Sequence, residues 1–379
     1  MLKRYLLAPG PTPVPSEVML AMAAPIIHHR SPDFLPVLDS AKKGLQWLYQ
    51  TKNDVLILTS TGTGGMVGAV NNFFSKGDKV LVINGGKFGE RWTKICQAYG
   101  LSVDEILVEW GYAVKPEVVE EKLRKNNDIK GVFVQASETS TGVYHDIKAL
   151  ASVVGKHEDT LFIVDAISAL VAHDLRTDEW GIDVMIGGSQ KGVMLPPGIA
   201  FVSVSDKAWA KAEVSKLPRF YFNFRKEREN LSKNQTNFTS PVTLIIGLNE
   251  SLRMLQSEGL ENVFKRHAVL ANATRKAVQA IGLELYAKES PSNGVTAIMT
   301  PAGIDGQVVY KNLREKYGIT AAGGQDKAKG RIFRIAHLGF SERFDIITAI
   351  AGIEMVLKGM GYQVKLGTGV AAAQELLMA

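Results

Sequence analysis

The chain has 379 residues, with 44 Lys and Arg against 38 Asp and Glu, so its formal net charge is +6. Hydrophobic residues make up 46% and charged residues 22%, a balance that is typical of globular proteins and excludes a disordered or collagen-like chain. The length exceeds the ~250–300 residues at which single cores stop growing, so we expect two domains.

The single cysteine, Cys96, cannot form an internal disulfide or a multi-cysteine metal site, which favours a reducing compartment and a small buried thiol. No apolar run approaches the ~18–20 residues of a membrane-spanning helix. The start, MLKRYLLAPGPTPVP, is too short for a secretory signal. We therefore expect a cytoplasmic protein with no membrane partner. Basic clusters such as 207–211 are interrupted by apolar residues, which favours a solvated surface over a nucleic-acid groove.

From about Lys52 to Val204, short β-branched runs alternate with Gly/Ser/Thr loops and amphipathic helical patterns. Runs that are apolar on both faces are typical of a mostly parallel sheet covered by helices on both sides. The pattern predicts an α/β domain with strands at 54–58, 79–83, 131–135, 161–165, 183–186 and 199–202.

After Pro218 the sequence pattern changes. Helical patterns at 242–259, 260–282, 306–316 and 344–358 enclose strand-like runs at 295–300 and 331–336, and a short apolar tail follows. This indicates a smaller α+β domain. We predict an N-terminal segment at 1–20, a large domain at 21–250 and a small C-terminal domain at 251–379.

Ligands of an open parallel sheet bind beyond the carboxyl ends of its strands. Small and hydroxyl residues at 59–65 follow the first run and precede a helical pattern, which suits a phosphate; a flexible turn is the alternative. The spacing lacks the third glycine of a dinucleotide fingerprint, and no Gly-Lys-Ser/Thr follows.

Two further residues follow later strands. Asp165 ends the run 161–165, either as a functional carboxylate or as a helix N-cap. Lys191 stands in a Gly- and Ser-rich loop, either as a Schiff-base lysine or as a surface charge. Together, a phosphate cradle, a carboxylate for a ring nitrogen and an amine for an aldehyde match the needs of pyridoxal 5'-phosphate.

At this point the sequence resembles the class V aminotransferases, which depend on pyridoxal phosphate. The resemblance covers almost the whole chain and includes the segments 9–15, 137–143, 164–168, 188–191 and 331–339. It is nearest to the alanine–glyoxylate and serine–glyoxylate (serine–pyruvate) aminotransferases, and it extends to proteins labelled as a soluble hydrogenase small subunit. It implies the aspartate-aminotransferase-like fold (fold type I), with a seven-stranded sheet in the large domain.

The resemblance also implies roles for single residues. Lys191 matches the lysine bonded to the cofactor aldehyde, and Asp165 matches the partner of the ring nitrogen. Arg334 matches the arginine that holds the substrate carboxylate, and Gly10 is a further substrate-binding candidate. The other implied cofactor-binding residues are Thr63, Gly64, Gly65, Phe88, Thr139, Gln190 and Thr239. Thr239 would reach the cofactor of a neighbouring subunit, which implies a homodimer with shared active sites, and no metal is implied.

The sequence departs from the family pattern at two of these positions. Phe88 stands where a tryptophan often stacks on the cofactor ring, and Thr236 stands where some members have a tyrosine near the phosphate. The element beginning His28-His29-Arg30 resembles a His-Arg pair of several class V branches, and we leave it open between a structural role and the rim of the active site.

The resemblance implies transamination from alanine or serine to glyoxylate or pyruvate, by a ping-pong route through pyridoxamine phosphate. A phosphonate or phosphoserine-type substrate, or a non-catalytic subunit associated with a hydrogenase, are the alternatives. The sequence argues against a cysteine desulfurase, because Gln190 replaces the histidine expected before Lys191 and Cys96 lies in the first half of the chain.

Overall fold

The computed structural model describes residues 2–378. Its strands are β1 (Tyr5–Leu6), β2 (Asp54–Thr59), β3 (Lys79–Asn84), β4 (Ser102–Leu107), β5 (Ile129–Gln135), β6 (Ser137–Glu138), β7 (Val143–Tyr144), β8 (Leu161–Asp165), β9 (Val184–Gly188), β10 (Ile199–Val204), β11 (Val295–Met299), β12 (Ile319–Thr320), β13 (Ala322–Gly323) and β14 (Ile332–Ala336).

The α-helices are α1 (Ser16–Met22), α2 (Phe34–Tyr49), α3 (Gly62–Phe73), α4 (Lys87–Ala98), α5 (Pro116–Lys125), α6 (Ile147–Val154), α7 (Thr177–Trp180), α8 (Asp206–Val214), α9 (Phe224–Leu231), α10 (Val242–Glu258), α11 (Leu260–Ala280), α12 (Gly306–Tyr317), α13 (Arg343–Gly359) and α14 (Thr368–Leu377). A 3-10 turn spans Asp326–Ala328.

A seven-stranded sheet in the order β2-β10-β9-β8-β5-β3-β4 forms the centre of the molecule. Strands β9, β8, β5, β3 and β4 pair in parallel, whereas β10 is antiparallel to both β9 and β2. Because β10 runs against both neighbours, β2 points the same way as β9, and its carboxyl end lies at the same edge. The predicted mostly parallel sheet flanked by helices is confirmed.

The burial of the strands explains which of them the sequence revealed. Every residue of β8 and β10 is buried. Both strands are therefore mostly apolar, with Asp165 in β8 and Ser203 in β10 as the polar residues. Strand β4 was missed by the sequence analysis. It pairs only with β3, and only one of its residues is buried, so it carries Asp104 and Glu105 and shows no apolar run.

The second half of the chain forms an antiparallel sheet in the order β11-β14-β13, packed with α11 to α14. The predicted helices and strands occur there with small shifts at their ends. The apolar tail forms helix α14, which packs on α11 and α13. A hydrophobic cluster separate from that of the large sheet includes Phe333, Ile350 and also Leu7, since β1 pairs with β12. The three predicted domain ranges stay a prediction.

Within residues 2–378, no helix combines the length and apolar character needed to cross a membrane.

The terminal helix is held by one buried carboxylate. Glu354 of α13 is 2% exposed. Its two oxygens accept N–H groups of Gly367 and Gly369, both at 2.6 Å. These N–H groups stand at the start of α14, where the helix dipole favours a negative charge. Glu354 therefore caps α14 from a neighbouring helix.

We predict that Glu354→Gln loses this cap and destabilises the protein by about 1–3 kcal/mol, because an ionised acceptor is replaced by one neutral oxygen and an amide donor. Urea unfolding measures the loss, and hydrogen exchange should accelerate at 367–377. Glu375→Gln, at an exposed position on α14, is the matched control. Equal stabilities of the two variants would contradict the prediction.

Candidate active site

Loops from five strands of the large sheet meet at one cavity of about 110 Å³ beyond the carboxyl ends of these strands. Asp165 and Lys191 follow the neighbouring parallel strands β8 and β9, and their side chains face the same space. Of the residues predicted from the sequence, those that line the cavity are Thr63, Phe88, Thr139, Asp165, Gln190 and Lys191. The structure thus brings together residues that lie more than a hundred positions apart.

The carboxylate of Asp165 is buried at the end of β8, and the side chain is 5% exposed. Burial raises its pKa to about 6, although the N–H of Ile167, which donates to Oδ1 at 2.9 Å, and the charge of Arg91 act in the opposite direction. No helix follows until α7, so Asp165 is not a helix N-cap. Its second oxygen is available to the cavity.

Lys191 extends from the loop after β9 and donates from Nζ to the carbonyl of Pro9. Burial lowers its pKa to about 8, while the charge of Asp165 opposes this shift and Arg334 adds to it. Within residues 2–378 the two groups form no ion pair, since no carboxylate lies within 4.0 Å of Nζ. An amine with this pKa is a nucleophile near neutral pH, unlike an ordinary surface lysine.

Gly10 lies against this lysine. Its φ is +144°, and a Cβ at this position would lie 2.2 Å from the Lys191 Nζ. A side chain would therefore displace the amine. This close approach explains why residue 10 is a glycine. The predicted contact of Gly10 with substrate stays a prediction.

Helix α3 begins at Gly62, so Thr63, Gly64 and Gly65 lie in its first turn instead of in a preceding loop. The N–H groups of Gly64 and Gly65 donate to Thr61, at 2.8 and 3.4 Å. In the described part of the chain the N–H groups of Gly62 and Thr63 have no acceptor, and such groups at a helix N-terminus bind anions.

Gly64 and Gly65 do not line the cavity. A Cβ on Gly64 would lie 1.8 Å from Ser60 Oγ, and one on Gly65 would lie 2.9 Å from Ile186. Close packing thus accounts for both glycines, and their predicted cofactor contacts stay predictions. Gln190 supplies a different signal, because its Oε1 is buried beside the cavity without a hydrogen-bond partner. Such an atom is suited to a ligand that carries a donor.

Phe88 and Thr139 are held in place by a residue that the sequence analysis did not single out. Glu138 is fully buried, and its carboxylate accepts the N–H groups of Phe88, Gly89 and Ser140, each at 3.1 Å, and the hydroxyl of Ser140. Burial raises the pKa of Glu138, which these hydrogen bonds counteract. Glu138 therefore fixes the start of α4, and with it Phe88, against the segment that carries Thr139.

Arg334 lies on β14, the central strand of its sheet, and is 6% exposed. Arg334 is therefore a buried cation in the centre of this sheet. Its guanidinium donates to the carbonyls of Gly323, at 2.7 and 3.1 Å, and Thr139, at 2.8 Å. Within residues 2–378 no carboxylate lies within 4.0 Å of it. Burial lowers its pKa to about 10, so it remains charged and can bind a carboxylate.

Several predicted residues lie away from the cavity. Thr239 is exposed, and its contact with a neighbouring subunit stays a prediction. Thr236 donates to the carbonyl of Phe238 at 2.7 Å. Arg30 is exposed and donates to Gln235 at 3.0 Å, and neither it nor His28 and His29 lines the cavity.

Cys96 is buried, and burial raises the pKa of its thiol. Residues 2–378 contain no group of three or more His, Cys, Asp and Glu side chains arranged to hold a metal.

The sequence analysis missed Arg91 as well. Its side chain lines the cavity, three positions beyond Phe88 on α4. A signal was present in the spacing, because residues i and i+3 of a helix share a face.

We predict that Lys191 reacts with a small aldehyde with a pH midpoint near 8, because only the neutral amine is a nucleophile and burial lowers its pKa. In Asp165→Asn the midpoint should fall further, since a charge that favours the ammonium is lost. Reductive labelling at a series of pH values, quantified on the peptide that contains Lys191, measures both midpoints. A midpoint near 10, or one that Asp165→Asn leaves in place, would argue against this electrostatic account.

Comparisons with known proteins show the family of this chain. The family model for class V aminotransferases matches residues 4–340. The chain is 44% identical to the soluble hydrogenase small subunit of Synechococcus sp. (strain PCC 6716), over 99% of this chain and 98% of that protein. It is 41% identical to the L-aspartate–glyoxylate aminotransferase of Paracoccus denitrificans, over 97% and 94%.

It is also 39% identical to the serine–glyoxylate aminotransferase of Methylorubrum extorquens, over 99% of this chain and 96% of that protein. Among solved structures, the ureidoglycine–glyoxylate aminotransferase of Bacillus subtilis superposes with a TM-score of 0.94 at 29% identity, covering 100% and 99% of the two chains. The chain belongs to the class V aminotransferase family and has the fold of these enzymes.

Proposed function

We propose that this aminotransferase uses pyridoxal 5'-phosphate to transfer an amino group from a small donor, alanine or serine, to glyoxylate or pyruvate. The observation that carries the proposal is the arrangement of Asp165 and Lys191 at the ends of neighbouring strands, facing one cavity next to the unpaired cation Arg334. Glyoxylate in the names of three similar proteins supports the choice of acceptor.

The residues of the cavity suit this cofactor. Lys191 would bond its aldehyde, Asp165 would face its ring nitrogen, and Phe88 would lie against its ring. The free N–H groups at the start of α3 mark the place for its phosphate. The unsatisfied Gln190 oxygen is suited to a donor group of the ligand and not to a phosphate oxygen. When bound, the cofactor supplies an electron sink for the bonds at the substrate Cα and stores the amino group as pyridoxamine phosphate between the two halves of a ping-pong reaction.

Asp165 and Lys191 would have complementary roles. A buried carboxylate can keep a ring nitrogen protonated, because separating the two charges in a low-dielectric site costs free energy. Lys191, once released, would accept and return the proton at the substrate Cα, for which its lowered pKa suits it. Its hydrogen bond to Pro9 holds the amine at the cavity.

Arg334 would bind the carboxylate that donor and acceptor share. Two carbonyls of Gly323 and Thr139 fix its planar fork, so a carboxylate meets it without reorganisation. Among the described residues that line the cavity, no cation other than Arg91 and Lys191 is present to bind a second substrate carboxylate, which favours small donors.

We further infer a homodimer that shares its active sites through Thr239. Support comes from exposed aromatic side chains at the neighbouring Phe238, which is 37% exposed, and at Phe220 and Tyr221 beside it, which are 80% and 48% exposed. The ring of Phe238 stacks on that of Tyr221 with centroids 5.1 Å apart. An aromatic patch of this kind is typical of a protein interface, and a second copy of the chain is the proposed occupant. A cytoplasmic location remains part of the proposal.

The name of the 44% identical relative favours a second candidate, a subunit associated with a hydrogenase. A subunit of that kind would differ from an enzyme in having a cavity that performs no chemistry. The intact set of Asp165, Lys191 and Arg334 instead favours an enzyme. His29 and Arg30 lie outside the cavity. Their position therefore does not support a phosphonate or phosphoserine-type substrate.

The experiment that tests the proposal is a half-reaction screen on purified protein. Alanine, serine, aspartate and glutamate are added one at a time, and the absorbance of the bound cofactor is followed. We expect alanine or serine to convert it fastest, and borohydride reduction before the addition to label Lys191. A faster conversion by aspartate would overturn the donor class. No conversion by any amino acid, or a label on another lysine, would overturn the proposal.

We predict that Arg334→Lys raises the KM for both donor and acceptor by about tenfold or more, because a point charge cannot reproduce the bidentate grip on a carboxylate. Steady-state kinetics with each substrate varied in turn measures the change. Arg331→Lys, an exposed arginine just before the same strand, is the control and should leave both constants unchanged. An effect confined to one substrate would speak against a shared carboxylate site.

A further inference from the structure

Arg91 points from α4 into the cavity and has no role in the chemistry described above. Its Nη1 donates to Thr63 Oγ1 at 3.0 Å, and its guanidinium lies 4.8 Å from the centroid of the Phe88 ring. The side chain therefore lies between the first turn of α3 and the aromatic ring. It connects the two places where the phosphate and the ring of the cofactor are proposed to lie.

The guanidinium has unused hydrogen-bonding capacity. In the described part of the chain, the bond to Thr63 is its single hydrogen bond, although an arginine carries five N–H donors. No carboxylate of residues 2–378 lies within 4.0 Å of it. The neighbouring Glu90 is already paired with Lys87 and Lys94 on the same helix. A half-buried cation with free donors next to a cavity is suited to an anionic ligand.

The position of Arg91 identifies which anion this would be. It contacts Thr63, whose N–H is one of the two free groups at the start of α3. Among the described residues, the other cation that lines the cavity is Lys191, and in the proposed function that amine is bonded to the cofactor aldehyde and is not a free ammonium for the phosphate. Without Arg91, a dianionic phosphate at this helix N-terminus would meet N–H groups and the helix dipole but no free cationic side chain among the described residues of the cavity lining.

The electrostatics of the cavity also suit an anion beside Arg91. The charge of Arg91 lowers the pKa of Asp165 and also that of Lys191, so it acts on the whole cavity. A phosphate beside Arg91 would neutralise this charge and leave Asp165 facing the ring nitrogen.

We propose that Arg91 is the counter-ion of the cofactor phosphate, its guanidinium donating to phosphate oxygens beside the Thr63 N–H and hydroxyl. This inference rests on the proposed function, because it assumes that the cavity binds pyridoxal phosphate. It assigns to one chain a phosphate contact that does not depend on a neighbouring subunit.

The test compares two ligands that differ in the phosphate. Ligand-free protein is titrated with pyridoxal 5'-phosphate and with pyridoxal, and binding is followed by absorbance. In Arg91→Met the Kd for pyridoxal phosphate should rise about tenfold or more, while the Kd for pyridoxal stays within about twofold. Arg91→Gln, which keeps a donor for Thr63, should show the same selective loss, so that the test does not depend on the folding of one variant.

Lys94→Met is the matched control, since Lys94 lies on the same helix with a side chain 67% exposed and does not line the cavity. It should bind both ligands as the wild type does. An equal loss for both ligands in the Arg91 variants would show that Arg91 only supports Phe88, and this would overturn the inference, as would unchanged binding of pyridoxal phosphate. Wild-type protein that binds neither ligand would overturn the proposed function itself.

Discussion

The burial of opposite charges at one edge of the sheet is the constraint on which the rest of the site depends. Asp165 and Lys191 are removed from water, and desolvation shifts the pKa of each toward neutrality, to about 6 and about 8. They do not neutralise each other by direct contact, because a cavity separates them. Such a pair is stable only when other groups hold it in place, and most of the surrounding contacts have this effect.

The N-terminal segment is one of these supports. Leu7 exchanges backbone hydrogen bonds with Thr320 and Ala336, which lie in the C-terminal half of the chain. A few residues later, Pro9 accepts the Lys191 amine, and Thr12 donates to the Lys191 carbonyl at 2.9 Å. The first residues of the chain therefore connect the lysine loop with the sheet that carries Arg334.

Glu138 is the second support. By accepting the N–H of Phe88 it fixes the ring, and through its neighbour Thr139, whose carbonyl accepts Arg334, the same segment orients the guanidinium. The ring-stacking and carboxylate-binding candidates thus share one buried anchor. The hydrogen bonds that Glu138 accepts compensate the cost of burying its carboxylate. An apolar residue at this position could not accept these hydrogen bonds.

The sequence alone predicted the parallel sheet, most of its strands and the residues that follow their carboxyl ends, because buried strands are continuous apolar runs and catalytic loops are marked by glycine and hydroxyl residues. It did not reveal β4, whose single pairing partner leaves it half exposed, or the terminal helix α14, which depends on Glu354.

The sequence pattern also missed Glu138 and Arg91. Nothing near Glu138 in the sequence distinguishes it from a surface charge, and the signal for Arg91 is confined to its spacing from Phe88. The resemblance to known enzymes singled out neither residue. Their roles arise because tertiary packing buries one carboxylate under the start of α4 and leaves one guanidinium without an acid. The residue types and the succession of strands along the chain are local features, and the sequence determined them. Burial and the choice of partner depend on contacts between distant segments, and only the tertiary structure decided them.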